Sequence, residues 1–128
     1  MNVFTLAGRE AEPLDPANFT GQGTLVRMLG VCEAPKINAY TVTFQPATRT
    51  AWHTHSGTQL LLVTSGTCRF QMEGGPVQEA GIGTVVSIAP GERHWHGAST
   101  DAPATHVALN VDATTDWHEK VTDAQYGG

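Results

Sequence analysis

With 128 residues, 40% of them hydrophobic and 15% charged, the chain is the size of one domain around one core and leaves no room for a second. A formal net charge of -5 with no run or stripe of Lys and Arg argues against nucleic acid and anionic membranes as partners and leaves a small-molecule substrate. No segment reaches the roughly 18 apolar residues of a membrane span, and the start Met1-Asn2-Val3-Phe4 lacks a basic region ahead of an apolar stretch, so a cytoplasmic protein is expected.

In chain order, residues 1–22, which hold Pro13 and Pro16, read as an extended N-terminal arm that crosses a sheet edge or joins a neighbouring subunit. Residues 23–115 carry the strands, expected at 24–29, 38–44, 59–64, 68–73, 83–88, 94–98 and 105–111. The 14 Gly and 7 Pro recur between these short runs, which is the pattern of an all-β sandwich or barrel rather than of helices. Residues 116–128 form a tail with a short helical turn capped by Thr122. Cys32 and Cys68 are too few for a disulfide framework and have no Cys-x-x-Cys spacing, so thiols are expected.

Alternation assigns the faces. On 38–44, Tyr40, Val42 and Phe44 share one side against Thr41 and Thr43, and this apolar-aromatic set is placed in a pocket. On 105–111, His106, Ala108 and Asn110 share a side. Taking it as inward puts a histidine and an amide in the pocket and leaves Val107, Leu109 and Val111 for packing under the arm or against another subunit. Tyr40 is equally readable as a core aromatic with a satisfied hydroxyl, and His96 and His106 as structural hydrogen-bonding groups. His118, in the polar tail, is placed in solvent.

Four of the six histidines form two His-x-His pairs, His53/His55 and His94/His96. On a strand, residues i and i+2 point to the same side, so both members of a pair can face one cavity, and neutral imidazole is the commonest protein ligand for divalent transition metals. A single pair is often no more than a hydrogen-bonded surface feature. Two pairs borne on strands of separate hairpins, with the amide oxygen of Gln59 near one of them, point to a single ion.

These residues resemble a family. The segment 47–66 is similar to the first cupin motif, Gly-x5-His-x-His-x3-4-Glu-x6-Gly, and 83–98 to the second, Gly-x5-Pro-x-Gly-x2-His-x3-Asn. Ala47 replaces the first glycine, Gln59 the glutamate, Ala89 the proline and Ala98 the asparagine. The resemblance is nearer to small single-domain bacterial cupins that act as manganese-dependent hydroxynitrile lyases. It runs through Thr48 to His55, Gln59, Pro90 to Gly97, Asp116-Trp117 and Val121 to Tyr126, with a looser match at Phe19-Thr20-Gly21.

The resemblance implies a jelly-roll barrel, or double-stranded β-helix, in a homodimer or homotetramer. It implies one divalent metal per chain held by His53, His55, Gln59 and His94. Mn(II) is foremost, with Fe(II), Co(II), Ni(II) or Zn(II) as alternatives. The reaction implied is reversible cleavage of a cyanohydrin to aldehyde and cyanide, with His96 and His106 moving the proton, Asn110 donating a hydrogen bond, and Tyr40 and Val42 shaping the aryl pocket. With Gln59 in place of a carboxylate, three imidazoles and an amide leave the ion its full +2 charge, which favours Lewis-acid over redox work. Two other readings remain open, a metal-dependent cupin dioxygenase and a non-catalytic metallocupin that binds a small ligand.

Overall fold

The computed structural model describes residues 1–128 and contains thirteen strands and one terminal helix. From the arm come β1 (Glu12–Pro13) and β2 (Phe19–Thr20), followed by the long hairpin β3 (Gly23–Glu33) and β4 (Lys36–Phe44). The middle of the chain supplies β5 (Arg49–Thr50), β6 (His53–His55), β7 (Thr58–Ser65), β8 (Cys68–Met72) and β9 (Gln78–Ala80). Then come β10 (Val85–Ile88), β11 (His94–Ala98), β12 (Ala104–Val111), β13 (Thr115–Trp117) and the helix α1 (Asp123–Gly127).

All pairings are antiparallel, and the strands form the two sheets of a half-barrel jelly roll. One sheet runs β1-β3-β4-β12-β7-β10, and the other runs β13-β6-β11-β5-β2, with β8 and β9 beyond β11. The seven expected strands are all present. The first extends to Glu33 because the β3-β4 register shifts between Met28 and Cys32 around Gly30 (φ 66), whose N–H donates to Asn38 Oδ1 at 2.8 Å. The two His-x-His strands, β6 and β11, far apart in sequence, are neighbours in one sheet, with His53 opposite His94.

Three apolar clusters fix this arrangement. Leu14, Val42, Phe44, Val63, Cys68, Ala98 and Ala104 fill one end of the space between the sheets. Leu61, Ile88 and Ala108 fill the other. Trp52, Trp95, Val121 and Tyr126 pack behind β11, because alternation turns Trp95 away from the side that His94 and His96 face. Of the two courses open to the arm, it crosses sheet edges of its own barrel: β1 pairs with β3, β2 pairs with β5, and Leu14 is buried in the core.

The tail is also part of the barrel. β13 pairs with β6, and Thr122 caps α1 in a reciprocal capping box with Gln125. Buried Arg49 donates to the Val121 carbonyl at 2.9 Å and to Asp123 at 2.8 Å, and stacks 4.8 Å from the Tyr126 ring centroid. The Tyr126 hydroxyl donates to the Ala98 carbonyl at 2.6 Å, which ties the last turn of the chain to β11.

β5 and β11 approach closely at Gly97, where an added Cβ would lie 2.1 Å from the Thr48 carbonyl oxygen and 2.7 Å from the Arg49 Cα. Both neighbours are backbone, so a side chain there forces the strands apart. Gly97→Ala is expected to cost about 2–3 kcal/mol, at the upper end for overpacking, and to lower the urea midpoint. An unchanged midpoint would contradict the close approach.

Candidate metal centre

Five histidines converge between the sheets, and all are buried: His53 and His55 from β6, His94 and His96 from β11, and His106 from β12. Burial is the first cause lowering every one of their pKa values, with neighbouring imidazoles adding to it at His53, His55 and His96. His55 and His106 are each brought down to about 4. Near pH 7 the rings are neutral and their lone pairs are available.

The backbone sets the tautomers of two of them. His53 Nδ1–H donates to the Ala51 carbonyl at 2.9 Å, and His94 Nδ1–H donates to the Glu92 carbonyl at 2.8 Å. Each ring therefore keeps its Nε2 lone pair, the usual support behind a metal-binding imidazole. His55 Nδ1 lies 3.0 Å from Thr115 Oγ1, and His96 Nδ1 lies 2.9 Å from His106 Nε2. His55 Nε2, His96 Nε2 and His106 Nδ1 are buried without a partner.

Gln59 supplies the observation that most favours an ion. Its Nε2 donates to Asn110 Oδ1 at 2.8 Å, which turns its Oε1 toward the histidines, 3.3 Å from His94 Nε2. Because the His94 proton is committed to Glu92 through Nδ1, two lone pairs face each other there in a buried site. A cation beside them removes the repulsion and also satisfies the unpartnered His55 Nε2. The residues present thus fit a divalent ion with N and O donors.

All four expected ligands come together. The ring centroids are 4.9 Å apart for His53 and His55, 4.2 Å for His53 and His94, and 5.3 Å for His55 and His94. The tightest group of ring nitrogens, mutually within 4.8 Å, is His53, His94 and His96, a buried three-histidine site able to hold one metal ion. His96, expected to move protons, therefore also lies within reach of the ion.

The centre opens into a cavity of about 310 Å³ whose lining includes Tyr40, Val42, His106 and Asn110, all expected there from alternation. His118 is exposed outside it. Missing from expectation are Phe19 and Arg27 on one side and Thr115 and Trp117 on the other. The Trp117 ring lies 4.7 Å from that of His53 and 5.9 Å from that of Phe19, so arm and tail together wall the entrance. In the sequence, Phe19 and Trp117 stood within stretches of the family resemblance, but alternation gave neither a place in the pocket.

The neutral histidines make the metal-free protein sensitive to acid. His106 titrates at about 4 folded against 6.5 unfolded, so the unfolded chain binds more protons between those values. Its contribution is complete above about pH 6.5 and is lost as the pH falls toward 4, about 2 kcal/mol being gone by pH 5. His55 acts in the same direction. In chelator, Tm is expected to drop by roughly 8 °C between pH 7 and pH 5. A constant Tm would contradict the depressed values.

Comparison with known proteins agrees with this geometry. The chain is 42% identical over 123 residues to an (R)-mandelonitrile lyase of Granulicella tundricola, an alignment covering 93% of this chain and 94% of that protein. A cupin-like protein of Thermotoga maritima superposes with a TM-score of 0.83 at 29% identity, over 98% of this chain and 95% of the other. The polyketide cyclase RemF of Streptomyces resistomycificus shares the fold, with a TM-score of 0.75 at 16% identity over 98% and 90% of the two chains. The cupin-domain family profile matches residues 40–110, the stretch that bears the five histidines and Gln59. With two facing antiparallel sheets around a buried histidine cluster, this chain belongs to the cupin family.

Proposed function

We propose that the protein is a metal-dependent hydroxynitrile lyase that cleaves a cyanohydrin reversibly to an aldehyde and hydrogen cyanide. The observation that carries this reading is the 42% identity to an (R)-mandelonitrile lyase along nearly the whole of both chains. His53, His55, Gln59 and His94 hold the ion, Mn(II) by the family resemblance. When bound, the ion supplies Lewis-acid polarisation of the substrate oxygen, worth several kcal/mol in metal enzymes generally.

The chain's own groups move the proton. His96 Nε2, buried and without a partner, takes the hydroxyl proton, and the 2.9 Å contact with His106 shares the resulting charge over two rings. The carbon-carbon bond breaks with its electron pair on cyanide, the substrate oxygen becomes the carbonyl, and the same proton passes to the departing cyanide. Asn110 holds the Gln59 amide in orientation, and Tyr40 and Val42 face the substituent on the reacting carbon.

A second copy of the chain completes the molecule in this reading. The outer face of the first sheet carries Val26, Met28, Leu60, Val107 and Leu109, only partly covered, beside Leu62 at 40% and Val85 at 59% exposure. The exposure of this apolar face supports a homodimer or homotetramer in which a second copy covers it. Light scattering at one chain mass, 13.6 kDa, would overturn it.

The lyase reading is tested by elemental analysis of the purified protein, then by benzaldehyde release from racemic mandelonitrile with Mn(II) and with chelator. About one ion per chain and release that stops in chelator are expected. Bound metal with no release would overturn the lyase reading and leave the metal centre standing.

A further inference from the structure

The mouth of the cavity carries a feature that a neutral substrate does not require. Arg27, Tyr40, Ala108 and Leu61 stand in register across β3, β4, β12 and β7 on the inward face. The next row holds Leu25, Val42, His106 and Val63. Arg27 is thus a cation at the rim of a lining that is otherwise apolar or neutral along these strands. Its guanidinium lies 5.8 Å from the Tyr40 ring centroid, a stacking contact that limits where the head can point.

A carboxylate already occupies this head. Glu12, on the two-residue strand β1 of the arm, accepts from Arg27 Nε at 3.0 Å and Nη2 at 2.9 Å through a single oxygen, Oε1. The two-oxygen fork that an arginine can offer a carboxylate is therefore not fully used. The side chains of Arg27 and Glu12 are 49% and 45% exposed, and ion pairs that open to water are weak and exchangeable. β1 is held to β3 only at Glu12 with Leu25 and Pro13 with Thr24, and the residues before it are exposed.

We propose that Arg27 and Tyr40 form a carboxylate subsite at the cavity mouth, and that the aldehyde or cyanohydrin processed here carries a carboxylate remote from the reacting carbon. Glu12 of the arm is the group this carboxylate displaces. The proposal rests on the lyase reading for the identity of the reacting carbon, whereas the subsite itself rests on the arginine and its present partner. The charges favour a monoanion. Asp15 is the other acidic group lining the mouth, its Oδ1 accepting from Ala17 N–H at 2.9 Å, and its charge opposes a phosphate or any dianion beside a single guanidinium.

The test is calorimetric binding of 4-formylbenzoate and 4-formylbenzamide, equal in length and differing in charge, to the Mn(II)-loaded protein. The acid is expected to bind roughly tenfold more tightly than the amide, and Arg27→Ala to bring that ratio to about one. Glu12→Gln removes the competing carboxylate and raises the ratio above wild type. Equal affinities in wild type, or a ratio that survives Arg27→Ala, would overturn the subsite, since a carboxylate held by the metal alone does not depend on Arg27. Weaker acid binding in Glu12→Gln would also overturn it, by making Glu12 a support for Arg27 rather than its displaceable partner. Cyanide release from mandelonitrile is read separately. Loss of that activity with the ratio intact sinks the lyase reading alone, and activity with a ratio of one sinks the subsite alone.

Discussion

His94→Ala and His53→Ala each yield a folded protein that no longer retains metal, with cyanohydrin cleavage reduced by at least about 1000-fold, the equivalent of several kcal/mol of lost transition-state stabilisation. Both rings are buried, both have Nδ1 committed to a backbone carbonyl two residues earlier, and neither belongs to an apolar cluster. The strand pairings of β6 and β11 run through the backbone and survive truncation of a side chain. Far-UV circular dichroism is therefore expected to match wild type while elemental analysis falls to near zero. Metal content unchanged in either variant would sink the site. The same assay separates the two donor sets: with His55 as ligand and His96 as proton carrier, His55→Ala loses the ion and His96→Ala keeps it. The reverse result assigns the ion to His53, His94 and His96.

The second large effect falls on turnover with the ion in place. His106 is fully buried, touches the centre only through the 2.9 Å contact with His96, and comes from the opposite sheet. Its removal takes away the group that shares the transferred proton and leaves every proposed ligand untouched. His106→Ala is expected to lower kcat by about 100-fold or more at full metal occupancy, the range typical of a lost acid-base partner. His106→Asn keeps a polar atom without a group that accepts a proton near neutral pH, and should recover stability without recovering rate. A rate equal to wild type in either variant removes His106 from the reaction.

Both experiments concern residues that were legible as a pattern. Period-two alternation placed His53 with His55, His94 with His96, and Tyr40 with Val42 on the sides they occupy, because a strand gives a side chain only two directions. β1, β2, β5, β9 and β13 were not legible. Each has two or three residues, too short to show a period, and is defined only by the strand it pairs with. For the same reason Arg27 could not be placed at the cavity mouth, since its neighbour Glu12 is brought there by β1. The orientation of Gln59 was hidden too. It depends on Asn110, 51 residues away in sequence and adjacent only once β7 and β12 are in register.

The seal that Tyr126 makes against Trp95 and Ala98 has a bearing on how damage far from the imidazoles reaches them. Val121 and Tyr126 are half of the buried cluster behind β11, and they lie among the last eight residues of the chain. The strand bearing His94 and His96 takes its backing from them, and a cut ahead of Val121 would bare the far side of Trp95 and loosen the frame that holds the imidazoles in place. Metal retention thus depends on residues that touch no ligand, and a lesion at Val121 or Tyr126 would be felt at the centre as lost order rather than as a lost donor.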